Sequence, residues 1–364
     1  MNPFPSIQTA TPADDAALRH LLRATPLPGK IRVSLEREPS WSEGQLDCLH
    51  HDTAINYQGG QPAACGSRIL RRAWWQGQAA DTAYLADLRV HPDYQNRAGR
   101  LLQQGFRHLE ARAAARPAAV TWTAIFEENH HAREILTSGR AGLPTYTDRG
   151  RLICPAFPVR PRMPAPDTPG LTWDTGTFDD LPAIAAFLTA RQKHRPLAPV
   201  HRAEDFAAGT RWPGLSPGHF LLARRDGRLA GVIAVWDQRA FRQVHIQKVS
   251  GSLRFARWIY RPIARVFGWT GVPPDHSILS LAHASFLAVE DDEPALARQL
   301  ILAAQAAASR RRIQWLCLCL HESDPLAAAL KGMPFLSSHG RLYQVSRTPE
   351  SWLGTAPVIE SATL

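Results

Sequence analysis

No run of about 18 apolar residues occurs in the chain, so no helix is expected to cross a bilayer. Cysteine is scarce, five in 364 residues. Cys48, Cys65, Cys154, Cys317 and Cys319 form no C-x-x-C pair, which argues against a zinc site or a disulfide framework. Cys317 and Cys319 alternate with leucines in WLCLCL and read as small apolar residues of a buried strand. Histidines are plentiful, yet none recur as H-x-x-x-H or H-E-x-x-H, so no metal is expected. The opening MNPFPSIQTATPADD has no basic segment followed by an apolar core, and a cytoplasmic location is the expectation. Lysine is also rare. Arginine supplies nearly all of the formal net charge of +10, and such an arginine-heavy, alanine-rich composition does not by itself select a nucleic acid. A nucleic-acid partner is kept only as a secondary reading.

What remains is the composition of a soluble globular protein, with 45% hydrophobic and 20% charged residues. The length suits two domains, each able to bury a core. The most patterned stretch is TAYLADLRVHPDYQNRAGRLLQQGFRHLEAR, Thr82 to Arg112. Tyr84 to Val90 predicts a strand, His91-Pro92-Asp93 interrupts it, and Leu101, Leu102, Phe106 and Leu109 recur at helical spacing. That spacing predicts a helix beginning near Ala98 to Arg100. Its first amides lack intrahelical acceptors and face back toward the strand end, where they and the helix dipole stabilise an anion.

This stretch resembles a motif of the GNAT N-acetyltransferase superfamily, a strand ending in L-x-V-x-P followed by Q/R-x-x-G-x-G/A and a helix. Leu88-Arg89-Val90-His91-Pro92 and Gln95-Asn96-Arg97-Ala98-Gly99-Arg100 occupy those places. Ala98 and Arg100 stand where the superfamily prefers small residues, and Gly99 is displaced by one. The resemblance implies that the main chain of Leu88, Arg89 and Val90 pairs with the pantetheine arm of acetyl-CoA. It also implies that the turn from Gln95 through Asn96, Arg97, Ala98 and Gly99 to Arg100 holds the pyrophosphate, with Arg100 free to pair with a phosphate. Downstream, FEENHHAREIL from Phe126 resembles the superfamily's N-x-x-A-x-x-L/F-Y segment. Asn129 and Ala132 fit, and Leu136 stands where the superfamily usually has the tyrosine that protonates the departing thiolate. Tyr146 is the substitute acid. The strand of Tyr84 to Val90 and the next, Val120 to Asn129, are expected to run parallel and splay at their C-terminal halves.

The rest of the chain reads as two copies of one order. Residues 1–158 form an N-terminal domain that opens with a strand (Ile7 to Ala10) and an Asp-started helix. Hairpin signals stand at Gly59-Gly60 and Gln76-Gly77-Gln78, and PTYTDRGRLICPAF is expected to supply a final strand pair. The loop from Pro26 to Arg37 is where the superfamily carries acceptor-binding residues, making Glu36, Arg37 and Glu38 candidates. Residues 159–170 are a proline-rich linker. Residues 171–347 repeat strand, Asp-started helix, hairpin over Asp226-Gly227, strand, turn, helix and strand, and 348–364 form a tail. In place of the glycine-containing turn this second copy has Glu290-Asp291-Asp292-Glu293, whose carboxylates repel a pyrophosphate. One segment without a counterpart, around 252–269, has arginines on one helical face and apolar residues on the other.

The fold class expected is therefore α/β with a mixed sheet, built as two tandem GNAT-like domains. The resemblance implies an acetyl-CoA-dependent N-acetyltransferase acting on a primary amine of a small-molecule or peptide acceptor, with the chemistry in the first domain. Asp87, Glu127 and Glu128 are the candidate bases and Tyr146 the candidate acid. Two alternatives stay open. One is a CoA-binding or interaction protein without catalysis, suggested by Ala98, Arg100 and Leu136; the other is an aminoacyl or peptidyl transferase on the same scaffold.

Overall fold

The computed structural model describes residues 6–29, 31–139, 142–251, 274–347, 352 and 356–364; the amphipathic segment 252–269 lies outside them. The chain opens with β1 (Ser6–Thr9) and α1 (Asp15–Ala24). A capping box sets the start of α1, where the Thr11 amide and hydroxyl donate to Asp14 Oδ2 at 2.8 and 3.0 Å. Then come β2 (Ile31–Glu36), β3 (His50–Gln58), β4 (Gln61–Trp75), β5 (Gln78–Val90), α2 (Ala98–Ala113), β6 (Val120–Phe126), α3 (His130–Thr137) and β7 (Thr145–Pro158). Gly59 and Gly60 close the hairpin between β3 and β4 with φ of +56° and +81°, the conformation a two-residue turn of this hand requires.

The second half supplies β8 (Thr172–Thr175), α4 (Leu181–Gln192), α5 (Ala203–Ala208), β9 (Phe220–Arg225), β10 (Arg228–Trp236) and β11 (Gln243–Val249). After the undescribed segment it continues with β12 (Leu281–Val289), α6 (Pro294–Arg310), β13 (Trp315–Cys317), β14 (Leu320–His321) and β15 (Leu336–Ser346).

Among the described residues these strands form one continuous mixed sheet in the order β1, β3, β4, β5, β6, β15, β7, β13, β12, β10, β9, β8, with β14 also on β7. The order reads as two equivalent runs meeting at an exchanged pair. β15, from the end of the chain, lies between β6 and β7, while β7 carries the sheet on to β13. Each half is completed by the other's last strand. The strand pair expected in PTYTDRGRLICPAF is thus a single long strand. Gly150 takes φ +107° within β7, and a Cβ there would lie 2.5 Å from His321 Nε2. A second link joins the halves: β2 pairs antiparallel with β11, from Gln243 opposite Glu36 to Val249 opposite Ile31. The expected acceptor loop at Pro26 to Arg37 is therefore largely a strand.

The core follows the same layout. α6 buries Leu296, Leu300 and Ile301 against Ile233, Val235 and Leu316, each such side chain stabilising the fold by roughly 1.5–3 kcal/mol. Gly231 allows the close approach, because a Cβ there would sit 2.8 Å from Leu300 Cδ1. On the opposite face Phe206, Trp212, Phe220, Trp236 and Phe286 form an aromatic cluster. In the first half α2 buries Leu101, Leu102, Phe106 and Leu109, the positions its spacing predicts.

Candidate active site

The site begins where two parallel strands stop pairing. β5 and β6 are in register only from Thr82 opposite Val120 to Tyr84 opposite Trp122, although both continue, to Val90 and Phe126. At the point of separation the Thr123 hydroxyl donates to the Leu85 carbonyl at 2.7 Å, satisfying an acceptor that the ladder leaves open. A bulge accompanies the divergence. On β4, Cys65 faces Arg89 and Ser67 faces Ala86, so Gly66 alone opposes Asp87 and Leu88. Asp87 takes φ +54° there, and the extra residue bends and twists β5. A cavity of about 380 Å³ opens at this notch.

On one side the cavity runs along α2 and α3, with Leu88, Arg89, Leu102, Phe106, Asn129 and Leu136 in its wall. Asn129 Oδ1 also accepts from the Ala132 amide at 3.3 Å and so caps α3. The turn from Pro92 to Arg97 is a short 3₁₀ segment leading into α2, and Gln95 Nε2 ties it to the Val90 carbonyl at 2.8 Å. Gln95, Asn96, Arg97 and Arg100 are exposed and Ala98 is buried. No side chain caps the N-terminus of α2, and a Cβ at Gly99 would meet nothing within 4 Å. The turn therefore presents uncapped amides with clear space at Gly99, though it lies beyond the wall of the cavity itself.

The four candidate acid and base residues separate into two pairs. Asp87 and Tyr146 line the cavity; Glu127 and Glu128 do not. Glu127 Oε1 accepts from Arg151 Nε at 3.0 Å and Arg341 Nε at 3.2 Å. Burial alone would raise its pKa, but Arg151 and then Arg341 bring it below the usual glutamate value. Glu128 is exposed. Asp87 is largely shielded from solvent, its side chain 13% exposed, which on its own would raise its pKa; Arg37, Arg89, His51 and Arg242 outweigh this and hold it ionised below the ordinary value. Arg37 Nη2 donates to Asp87 Oδ2 at 2.7 Å, and the same guanidinium lies 4.2 Å from the Trp41 ring centroid. Burial drives the Tyr146 phenol upward, keeping it protonated. Its ring stands edge-on to Phe106 and Tyr343. Leu136 is buried among Leu102, Phe106 and Ile125 and brings no polar atom.

On the other side the wall comes from parts of the chain that sequence reasoning did not single out: Arg71 on β4, Arg242 and Gln243 at the start of β11, His283 on β12, and the segment Ser361 to Leu364. Gln243 Nε2 donates to the Glu38 carbonyl at 3.0 Å, while Gln243 Oε1 accepts from the Glu38 amide at 3.1 Å, fixing the chain beside Arg37. Arg242 Nη1 donates to the Ala362 carbonyl at 2.8 Å, and Arg71 engages Thr363. Burial, and then Arg37, lower the Arg242 pKa to about 10. No local pattern marks these residues, because they meet only through the pairing of the two halves.

This geometry has counterparts among solved structures. A GCN5-related N-acetyltransferase from Sphaerobacter thermophilus superposes with TM-score 0.58 and 15% identity, covering 99% of this chain and 98% of that one. N-myristoyltransferase from Saccharomyces cerevisiae, with bound myristoyl-CoA, gives TM-score 0.58 and 10% identity over 95% of this chain and 83% of its own. The chain has the GNAT fold. No protein-family model and no curated protein sequence matches it.

Within this GNAT-fold chain the second half repeats the notch and fills it. β12 and β13 pair in parallel only from Leu281 opposite Trp315 to His283 opposite Cys317. Phe286 on β12 takes φ +58°, matching Asp87 on β5. Here, however, Glu360 lies in the opening, its two carboxylate oxygens accepting from the Phe286 amide at 3.0 and 3.1 Å. Val358, Ile359 and Ser361 line what remains, a pocket of about 20 Å³. The acidic turn is also engaged: Arg225 reaches Glu290 at 3.4 Å and Glu293 at 3.1 Å, and Arg191 reaches Asp291 at 3.4 Å. Among the described residues no three His, Cys, Asp or Glu side chains are grouped to hold a metal, and no helix is long and apolar enough to cross a membrane.

Proposed function

We propose that this protein is an acetyl-CoA-dependent N-acetyltransferase whose single reaction centre is the open notch of the first half. The observation that carries the reading is the unpaired stretch of β5 and β6 beyond Tyr84 and Trp122, which opens directly onto the cavity. The residues present fit CoA. β5 has no β6 partner at Leu88, Arg89 and Val90, so an extended arm has an edge to lie along there once the Arg89 and Gln95 side chains release the Leu88 and Val90 carbonyls, and the uncapped α2 amides with clear space at Gly99 suit a pyrophosphate. Arg97 and Arg100 are exposed cations beside that turn.

When bound, the cofactor supplies an acyl thioester; transfer to an ammonium forms a C–N bond, breaks the C–S bond, and removes two protons from nitrogen, one ending on sulfur and one in solvent. In this reading β5 orients the acyl group, and Asp87, an ionised carboxylate on the bulge, draws the acceptor's ammonium to the notch and takes a hydrogen bond from it. Asp87 is held at a low pKa and so passes the proton on to water. Tyr146, kept protonated by burial, is the donor to the departing sulfur and regains its proton from the second one released by nitrogen. Glu127 is committed to Arg151 and Arg341 and serves as a structural anion.

In the same reading, residues 1–158 and 171–347, joined by a linker at 159–170 and followed by a tail, descend from one duplicated unit whose final strands are exchanged. Incubation with isotopically labelled acetyl-CoA and a library of amines tests the reading, transfer of label to an amine being expected. Failure of CoA to raise the melting temperature at saturating concentration would remove its basis.

A further inference from the structure

Resting on that reading, we infer that the acceptor carries a carboxylate near its reactive amine, and that Arg37 is the residue that binds it. The side of the cavity away from α2 is unusually cationic for an amine site. Arg37, Arg71 and Arg242 all line it, and Arg37 and Arg71 are 5% and 4% exposed. Glu36 and Asp87 line the cavity as well, but the three guanidiniums outnumber them, so an amine that brings an anion of its own meets less opposition there.

The three guanidiniums are not equivalent. Arg242 is taken up by the carbonyl oxygens of Ala362 and Leu364, and both Arg71 Nη atoms by the Thr363 hydroxyl and carbonyl, so that Arg71 has only its Nε without a partner. Arg37 spends one nitrogen on Asp87, while its Nη1 is buried with no hydrogen-bond partner. A buried guanidinium donor left unmatched is costly, and a ligand oxygen that accepts from it recovers that cost. The side chain is held for this purpose: its stem lies against Gly44, where a Cβ would come within 2.6 Å of Arg37 Cδ, and its plane lies on Trp41. Its partner Asp87 stands on the bulge that bounds the notch. Arg37 and Asp87 thus offer adjacent positive and negative groups, complementary to a molecule with an ammonium and a carboxylate a few bonds apart.

The test compares matched probes in the full chain loaded with CoA: glycine, leucine, phenylalanine and glutamate, each against its α-carboxamide, by calorimetry. At least one acid should bind ten-fold or more tighter than its amide, the scale of one charge-assisted hydrogen bond. In Arg37→Lys, which keeps a charge for Asp87 but has no rigid fork to reach a second anion, the preference should fall to within about three-fold. The double variant Arg37→Met/Asp87→Asn, which removes the buried pair together, should lose it as well. Arg239→Gln, whose guanidinium is held by Asp237, should keep it. If no acid outbinds its amide, or the preference survives in both Arg37 variants, the inference is wrong. If Arg37→Lys lowers kcat with KM unchanged, Arg37 acts on the reacting carbonyl and the inference is again wrong. These failures differ from that of the acyltransferase reading, in which CoA itself does not bind.

Discussion

Replacing Glu360 by glutamine tests the filled second notch, because the side chain keeps its shape and its acceptor but loses its charge. Glu360 is 8% exposed, and burial raises its pKa from 4.5 to about 7, the Phe286 amide offsetting only part of the effect and Asp47 adding to it. The sign follows from proton uptake. Between pH 4.5 and 7 the folded chain holds a proton on Glu360 that the unfolded chain has lost, so stability falls as pH rises through this window and levels off above it. A separation of that size, at 1.36 kcal/mol for each tenfold change, corresponds to about 3 kcal/mol of lost stability at pH 8 relative to pH 4. Glu360→Gln avoids the cost of the buried charge. It should match the wild type near pH 4.5 and exceed it at pH 8 by up to about 3 kcal/mol. With about 2.1 cal/mol/K of unfolding entropy per residue, that is a melting temperature higher by roughly 4 °C. Melting curves of both proteins from pH 4.5 to 8 give the comparison. A Glu360→Gln protein less stable than wild type at pH 8 would mean that the ionised carboxylate is the better occupant of the Phe286 amide, and the reasoning would fail.

Three further outcomes are expected. Gly99→Val should weaken CoA binding by about ten- to a hundred-fold, the loss of one or two charge-assisted hydrogen bonds at the α2 turn. Clear space around Gly99 lets the fold survive, so unchanged affinity in a folded variant would move the phosphate site elsewhere. Calorimetry should give one CoA per chain, because Glu360 fills the second notch and four carboxylates ring its turn; two sites of similar affinity would contradict this. Asp87→Asn leaves Arg37 buried without its anion and should cost about 3 kcal/mol at pH 7. As the Asp87 pKa is depressed in the folded chain, the stability it contributes is present above about pH 4 and lost as pH falls through the folded value. Urea midpoints of the two proteins should therefore converge in acid, and a gap unchanged with pH would rule out the ion pair as the cause.

The parts of this architecture that could be read from the residues are those whose physics is local. Tyr84 to Val90 and the helix after Ala98 announce themselves by apolar spacing and by the breaker at His91-Pro92-Asp93, and the hairpin over Gly59-Gly60 by the backbone that glycine permits. Asp87, proposed from its place on that strand, and Tyr146, proposed as the acid because Leu136 holds the usual tyrosine position, stand in the cavity wall. Glu127 and Glu128 stand close in sequence to a strand end, and nearness in sequence does not reveal Arg341 arriving from the far end of the chain to claim the Glu127 carboxylate. The exchange of β7 and β15 was equally hidden, since Tyr146 opposite Val345 is a pairing that no local pattern encodes. Asp148-Arg149-Gly150 carries the composition of a turn, and only the neighbouring strands decide that it becomes a bulge instead.

The exchange also explains why the two notches differ in occupancy while sharing a backbone device. Asp87 and Phe286 adopt nearly the same left-handed conformation at the same place in their half-sheets. After β15 has crossed into the first half, the chain must return toward the second. The described part of that return, from Ala356 onward, lies over β12 and lodges Glu360 on the Phe286 amide before Ser361 to Leu364 reach the first cavity. One segment therefore closes the second notch and supplies part of the wall of the first. Any substitution that loosens Glu360 from Phe286 should be felt at Arg71 and Arg242, which hold the same segment at Thr363 and Ala362. The filled half acts as the anchor from which one wall of the open half's cavity is built.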